Sequence, residues 1–340
     1  MTGSVTSQVE NKTVSDDEEG MRLDRWFKSH FPAITHGQLQ KLLRKGQIRL
    51  DGHRAKANDR IKAGQLIRIP PLDEQSANQS TRVRPSRSTV SDADREMLLR
   101  CILHRDDAVI VINKPPGLAV QGGSGTSRHL DGMLDALKSP KGERPRLVHR
   151  LDKDTSGVLI LAVTVKSARF LASAFQTKEV RKLYWALLSG VPEPSSGRID
   201  LALSKSKVMD RVNGREQMIP DLEDGKRATT LYEVQEHASR AVAWVAMEPI
   251  TGRTHQLRVH MAEIGTPIIG DGKYGGELAF PEIDGIEKSL HLHAVAVRFP
   301  HPNGGKLTIT ADLPPHMLKS WKAFGFYPAD HSYFEDWWTR

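Results

Sequence analysis

A chain of 340 residues with one cysteine, Cys101, and a net charge of +8 can build neither an intrachain disulfide nor a multi-thiolate metal site. No apolar run approaches a membrane span, and Asp16, Asp17, Glu18 and Glu19 stand where a secretory signal would be basic and then hydrophobic, so a cytoplasmic protein of two or three domains is expected. The charge is uneven: residues 1–20 sum to −4, residues 21–70 to +9 and the remaining 270 to +3, which points to a polyanion met by one short segment.

Residues 1–20 are polar and acidic, bury too little apolar surface to offset ordering entropy, and are expected to form a disordered tail. From residue 21 to residue 70 the pattern is that of a small complete domain. Leu23, Trp26 and Phe27, then Leu39, Leu42 and Leu43, fall at helix-face spacing, and Gln47–Gly52 and Gln65–Ile69 read as short strands. In the second helix Lys41, Arg44 and Lys45 lie on the side away from the leucines, so one face packs and the other is cationic. Residues 71–97, rich at first in Ser, Pro, Arg and Gln, read as a linker.

Residues 98–315 carry the main domain. Ala108–Asn113 is a buried strand closed by the turn Lys114-Pro-Pro-Gly117, and a helix is expected over Leu130–Lys138. A strand over Val158–Val163 and a helix over Lys166–Thr177 follow the charged run His149–Gly157. Lys182–Leu188, Ala228–Val234, Arg240–Met247, Leu290–Phe299 and Lys306–Ala311 have β-branched or alternating patterns, and their close pairing late in the chain favours hairpins. The expected class is α+β, with a mixed, largely antiparallel sheet and flanking helices. Residues 316–340 form an aromatic extension, from Phe324 to Trp338, expected to dock on this domain rather than stack on a ligand.

The charged run places Asp152 between Arg150 and Lys153, with Asp154 two residues on. Paired carboxylates serve acid and base work in glycoside hydrolases, but spacing in a loop fixes no distance, and a solvated ion-pair cluster explains the run equally well. Pro249–His260 delivers Arg253 by a turn to the start of a helix carrying Leu257, Met261 and Ile264, a good place to meet an anion. By pattern alone Tyr184 reads as a core tyrosine of its strand. Gly122–Ser127 is glycine-rich but lacks the Lys-Ser/Thr of a nucleoside-triphosphate loop. His291 and His293 have no cysteine or carboxylate at zinc-ligand spacing, and packed or hydrogen-bonded histidines are expected.

Several segments together carry a resemblance. Asn113-Lys-Pro-Pro-Gly117, His149-Arg-Leu-Asp-Lys-Asp-Thr-Ser-Gly157, Lys182-Leu-Tyr184, Thr251-Gly-Arg-Thr-His-Gln-Leu-Arg-Val-His260, Gly270-Asp-Gly-Lys-Tyr-Gly275 and Leu292-His-Ala294 resemble the signature segments of the RluA family of RNA pseudouridine synthases. Gln121–Gly125 is most similar to its RluC-like branch, which modifies large-subunit ribosomal RNA. Residues 21–70 resemble the S4-like RNA-binding domain, which implies RNA contacts by Arg22, Lys41, Arg44, Lys45, Arg49 and Lys56.

The resemblance implies the pseudouridine synthase fold, Asp152 as nucleophile, Tyr184 beside the target base, Arg253 as the partner that keeps Asp152 charged, and Arg150 in the space left by a flipped base. It implies chemistry that needs neither metal nor nucleotide cofactor and a ribosomal RNA partner; the lack of an apolar span leads to the expectation of no membrane partner, and a monomer is the default. Transfer RNA is the alternative substrate. A non-catalytic ribosome-assembly factor is the rival from another class, and a glycosidase, which leaves the basic segment unexplained, is a weaker one.

Overall fold

The computed structural model describes residues 9–72, 90–122, 126, 128–206, 217–327 and 331–339. The chain divides into two compact units, Met1–Thr89 and Val90–Arg340.

In the first unit, strand β1 (Glu10–Thr13) precedes helices α1 (Leu23–His30) and α2 (His36–Arg44), and strands β2 (Arg49–Leu50), β3 (His53–Arg54) and β4 (Leu66–Ile69) complete a sheet of order β1-β4-β2-β3. Thr35 opens α2 through a reciprocal capping box with Gln38, which satisfies donors the helix leaves free. Leu23, Trp26 and Phe27 of α1 and Leu39 and Leu43 of α2 close on Ile48, Ile61, Ile67 and Ile69. Each large side chain so buried contributes roughly 1.5–3 kcal/mol over an exposed one.

The expected disordered tail requires correction. Glu10–Thr13 pairs antiparallel with β4, from Glu10 opposite Ile69 to Thr13 opposite Leu66, and Val14 is buried in the core behind it. The free edge of β4 offers backbone partners that no side-chain pattern reveals. Farther on, Glu18 Oε1 meets His30 Nε2 at 2.5 Å, so part of the acidic run is tied to α1. Residues 1–8 lie outside the described residues, as do residues 73–89 of the expected linker. The rest of that linker is also corrected. Ser91 caps helix α3 (Asp92–Arg100) by accepting the Asp94 N–H at 3.1 Å, and Leu98 is buried against Leu134 and Leu137.

The second unit is built on one sheet. Among the described residues it contains β5 (Ile102–Arg105), β6 (Val109–Lys114), β7 (Arg146–Leu147), β8 (Ser156–Ala162), β9 (Arg181–Ser189) and β10 (Ser196–Asp200). After the short hairpin of β11 (Leu203–Lys205) and β12 (Met218–Pro220), the sheet resumes with β13 (Thr229–Ala238), β14 (Val242–Pro249), β15 (Leu292–Pro300) and β16 (Lys306–Thr310). Its order is β10-β13-β14-β9-β15-β8-β6-β5, with β16 beside β15 and β7 beside β8. Among the named strands of the described residues, β8 and β15 pair in parallel and the other pairings are antiparallel, the mixed, largely antiparallel sheet expected.

Both faces of its centre are covered, which explains the unbroken apolar runs of β6 and β8. Ile110, Ile112, Leu159 and Leu161 meet helix α4 (Leu130–Met133) and the 3₁₀ turn Leu134–Leu137, while Val109, Val111, Val158 and Ile160 meet Leu171 and Ala174 of helix α5 (Val165–Gln176). The expected helix over Leu130–Lys138 is thus a single α turn continued as 3₁₀. It stops before Ser139-Pro140, where the proline restricts the preceding backbone.

Helix α6 (Gln256–Glu263) follows β14, and helices α7 (Pro315–Phe324) and α8 (His331–Thr339) end the chain. Trp321, Phe326, Phe334, Trp337 and Trp338 pack in one cluster with Trp185 of β9 and Trp244 of β14. The aromatic extension is docked, as its composition favoured. His291 bonds Ser289 O and Ser320 Oγ, and His293 bonds Ser156 Oγ and Ala311 O, so both rings serve the core.

Candidate active site

The Asp152 loop joins β7 to β8 and is fixed from several sides. Lys114, fully buried at the end of β6, donates its ammonium to Pro115 O and Leu118 O at 2.9 Å and to Lys153 O at 3.0 Å, tying the Pro-Pro turn to the loop. Burial lowers the Lys114 pKa to about 7, against the opposing charges of Asp154 and Asp152. His149 stacks on Phe175 at 4.6 Å and accepts the Ile160 N–H at 2.8 Å. At the loop's exit Gly157 has φ 111, and a Cβ there would stand 2.2 Å from Ala294 O, so only glycine lets β8 approach β15.

Asp152 opens onto a cavity of about 650 Å³ that Arg150, Lys182, Tyr184, Arg253, His255 and Arg258 also line. Its Oδ2 stands 3.8 Å from Arg258 Nη1 and 3.8 Å from His255 Nε2. Arg258, in the first turns of α6, is buried and grips Asp271, with Nε to Oδ2 at 2.8 Å and Nη2 to Oδ1 at 2.6 Å. Burial raises the Asp152 pKa and outweighs the opposing charges of Arg258, Arg150 and Lys114, while Asp271 adds to the rise. Tyr184 sits on β9 opposite Met247 of β14 and Ala294 of β15, which carries it to the same wall. Burial, and then the charge of Asp152, push its phenol upward, so it enters this site protonated. Arg150 is exposed at the rim.

A carboxylate in a cationic cavity, beside a neutral phenol, can serve as nucleophile or base toward an anionic substrate. Residues 108–263 match the RNA pseudouridylate synthase family, and residues 21–67 match the S4 domain. The chain is 34% identical over 320 residues to the ribosomal large subunit pseudouridine synthase C of Vibrio cholerae serotype O1, covering 92% of this chain and 96% of that one. The Pasteurella multocida protein of the same name is 33% identical, with 93% and 94% covered. The chain belongs to the RNA pseudouridylate synthase family. The solved structure of human RNA pseudouridylate synthase domain containing 4 superposes with a TM-score of 0.58 at 32% identity, over 69% of this chain and 97% of that one.

Within this pseudouridylate synthase, one expected partnership is corrected. Arg253 is exposed and donates its Nε to Arg227 O at 3.1 Å, and the guanidinium facing Asp152 is that of Arg258. Arg253 lies in the turn before α6, whereas Gln256 to Met261 of that helix are all buried. The sequence sets an arginine between Leu257 and Val259 with Asp271 soon after, but that α6 is packed all round, so that this arginine needs a carboxylate, shows only in the structure. His255 was also missed. Asp154 is exposed, and its charge acts on Lys114.

The basic face of the S4 unit is sorted by the structure. Lys41, Arg44, Lys45 and Lys56 are exposed. Arg22 instead holds Asp24 through Nε at 3.1 Å and Nη2 at 2.5 Å, and Arg49 braces the β2–β3 hairpin by donating to Gly46 O at 3.2 Å and Gly52 O at 3.1 Å. Those two arginines have fewer donors left for a phosphate. Arg54, exposed in the same hairpin, is an added candidate.

Proposed function

We propose that this synthase isomerises uridines of large-subunit ribosomal RNA in the cytoplasm, acting as a monomer, with Asp152 as nucleophile. The observation that carries the reading is Asp152 at the cavity wall, 3.8 Å from Arg258 and in the same pocket as Tyr184. The name shared by the Vibrio and Pasteurella relatives supports the ribosomal substrate, and the match to the S4 domain supports a grip on folded RNA. No helix among the described residues is long and apolar enough to cross a membrane.

The reaction breaks the C1′–N1 bond, turns the uracil and joins C5 to C1′; the C5 proton leaves and N1 gains one, so atoms and charge balance. A target uridine must leave its stack for its sugar to reach Asp152, at roughly a few kcal/mol. Arg150 at the rim can occupy the vacated space. The carboxylate adds to C1′ as uracil departs and is released when C5 attacks. Tyr184 offers a ring for the turning base and, as a neutral phenol, a proton relay. Lys182, lowered in pKa by burial against the charge of Glu248, adds a cation for the anionic nucleotide.

The test is to incubate wild type and a folded Asp152→Asn variant with unmodified ribosomal RNA and with transfer RNA, then map pseudouridine. Product on large-subunit RNA from wild type alone is expected. Equal product from both proteins removes Asp152 as nucleophile, product only on transfer RNA moves the substrate, and none on any RNA returns the assembly-factor reading.

A further inference from the structure

His255 occupies a backbone position that few residues other than glycine adopt. It precedes α6 with φ 52 and ψ 19, in the left-handed region that glycine and asparagine adopt most readily, and its side chain does not cap the helix. A side chain kept at such a place points to use of its ring.

The ring bridges two groups. Nδ1 lies 2.6 Å from Tyr274 Oη, and Nε2 lies 3.8 Å from Asp152 Oδ2. Tyr274 Oη accepts the Met218 N–H at 3.2 Å and its own proton can point at Nδ1, the arrangement that places the ring proton on Nε2. The opposite tautomer would turn a lone pair toward the carboxylate of Asp152. Both ends of the ring therefore favour the same tautomer. Burial, with Arg258, Lys273 and Arg150, lowers the His255 pKa to about 3 against the pull of Asp271, so the ring is neutral.

Arg258 completes the arrangement. Its Nε and Nη2 are taken by Asp271, and the remaining Nη1 makes its approach to Asp152 at Oδ2, the same oxygen that His255 faces. We propose that His255 is a positioning residue for Asp152: a neutral Nε2–H donor, locked in that tautomer by Tyr274, that joins Arg258 in holding Oδ2 and leaves Oδ1 to meet the ribose. The inference rests on Asp152 being the nucleophile. A neutral donor suits the task, because a second full cation on the carboxylate would stabilise its charge and blunt its attack. At 3.8 Å neither contact is yet a hydrogen bond, and holding Oδ2 requires both to shorten in the complex with substrate.

Nitrogen NMR of histidine-labelled wild-type protein tests the tautomer without any variant. The expected spectrum shows His255 with Nδ1 bare and Nε2 protonated from about pH 5 to pH 8. A protonated Nδ1, or an imidazolium at about pH 6, overturns the proposal. Kinetics test the role. His255→Asn tolerates the left-handed backbone but lacks the Nε2 reach, and is expected to lower kcat roughly 10- to 100-fold, the value of one charge-assisted hydrogen bond, with KM within about twofold. His255→Gln, whose amide nitrogen can stand near the Nε2 position, should recover part of that loss, and Tyr274→Phe should give a smaller loss with mixed ring tautomers. Wild-type kcat in His255→Asn overturns the proposal. No pseudouridine from wild type on any RNA sinks the functional reading instead, while the nitrogen spectrum still decides the tautomer.

Discussion

Lys41, Arg44, Lys45 and Lys56 of the S4 unit stand in water on a small hydrophobic core, whereas Asp152 and Asp271 of the catalytic unit are drawn in from solvent and both meet Arg258. Exposed charges contribute little to folding, act at a distance and are screened by salt. Buried charges are costly to desolvate and stay charged only beside partners, so each becomes part of the fold as well as of the chemistry. The two units should therefore answer the same kind of substitution differently, one through affinity and the other through stability and turnover.

The largest expected effect separates the two arginines of the run before and within α6. Arg258→Met leaves Asp271, whose side chain is fully buried, without its bidentate partner and should destabilise the catalytic unit by about 3–5 kcal/mol in urea unfolding, with turnover lost. Arg253→Ala should change stability by less than about 0.5 kcal/mol and raise KM only. Equal effects from the two would remove the distinction between buried and exposed charge on which the site was built.

A middle-sized effect is expected in the S4 unit. Replacing Lys41, Arg44 and Lys45 together by Gln should leave the fold and kcat intact and weaken RNA binding, with the slope of log affinity against log salt falling in magnitude by about 2 to 3. An unchanged slope, read by filter binding across a salt series, would mean that this face does not meet phosphate.

The two units also differed in how much their sequences disclosed. The double-sided cores of β6 and β8 were legible because continuous apolar runs have one economical burial. Asp152 was legible as an expensive loop, and its role came with the resemblance. Arg258 was not, because an arginine's exposure depends on whether its helix is packed all round, and Gln256 and Arg258 disguise α6 as half polar. β1 was hidden for a different reason. Glu10, Asn11, Lys12 and Thr13 carry no apolar alternation, and their strand is held by the backbone groups of β4. The start of α3 was written in Ser91, Asp92 and Asp94, a capping residue before an acidic first turn, but the composition of the preceding segment obscured it.

The smallest effect is one of pH. Burial sets the folded pKa of Asp152 above its unfolded value, so the folded state holds that proton more tightly. Stability from this group is then fully present below the unfolded aspartate pKa, near pH ~4, and is lost as pH rises through the folded value. At neutral pH the ionised nucleophile is a net burden on the fold, although Arg258 and Arg150 lighten it. Asp152→Asn removes the burden and should raise the Tm of the catalytic unit by ~2 °C at pH 7, with the gain vanishing below pH ~4. Lys41→Gln, on exposed surface, should show no such pH-dependent change. A lower Tm for Asp152→Asn at pH 7 would mean that the arginines more than offset desolvation, and that the catalytic carboxylate stabilises the fold as an ordinary buried ion pair does.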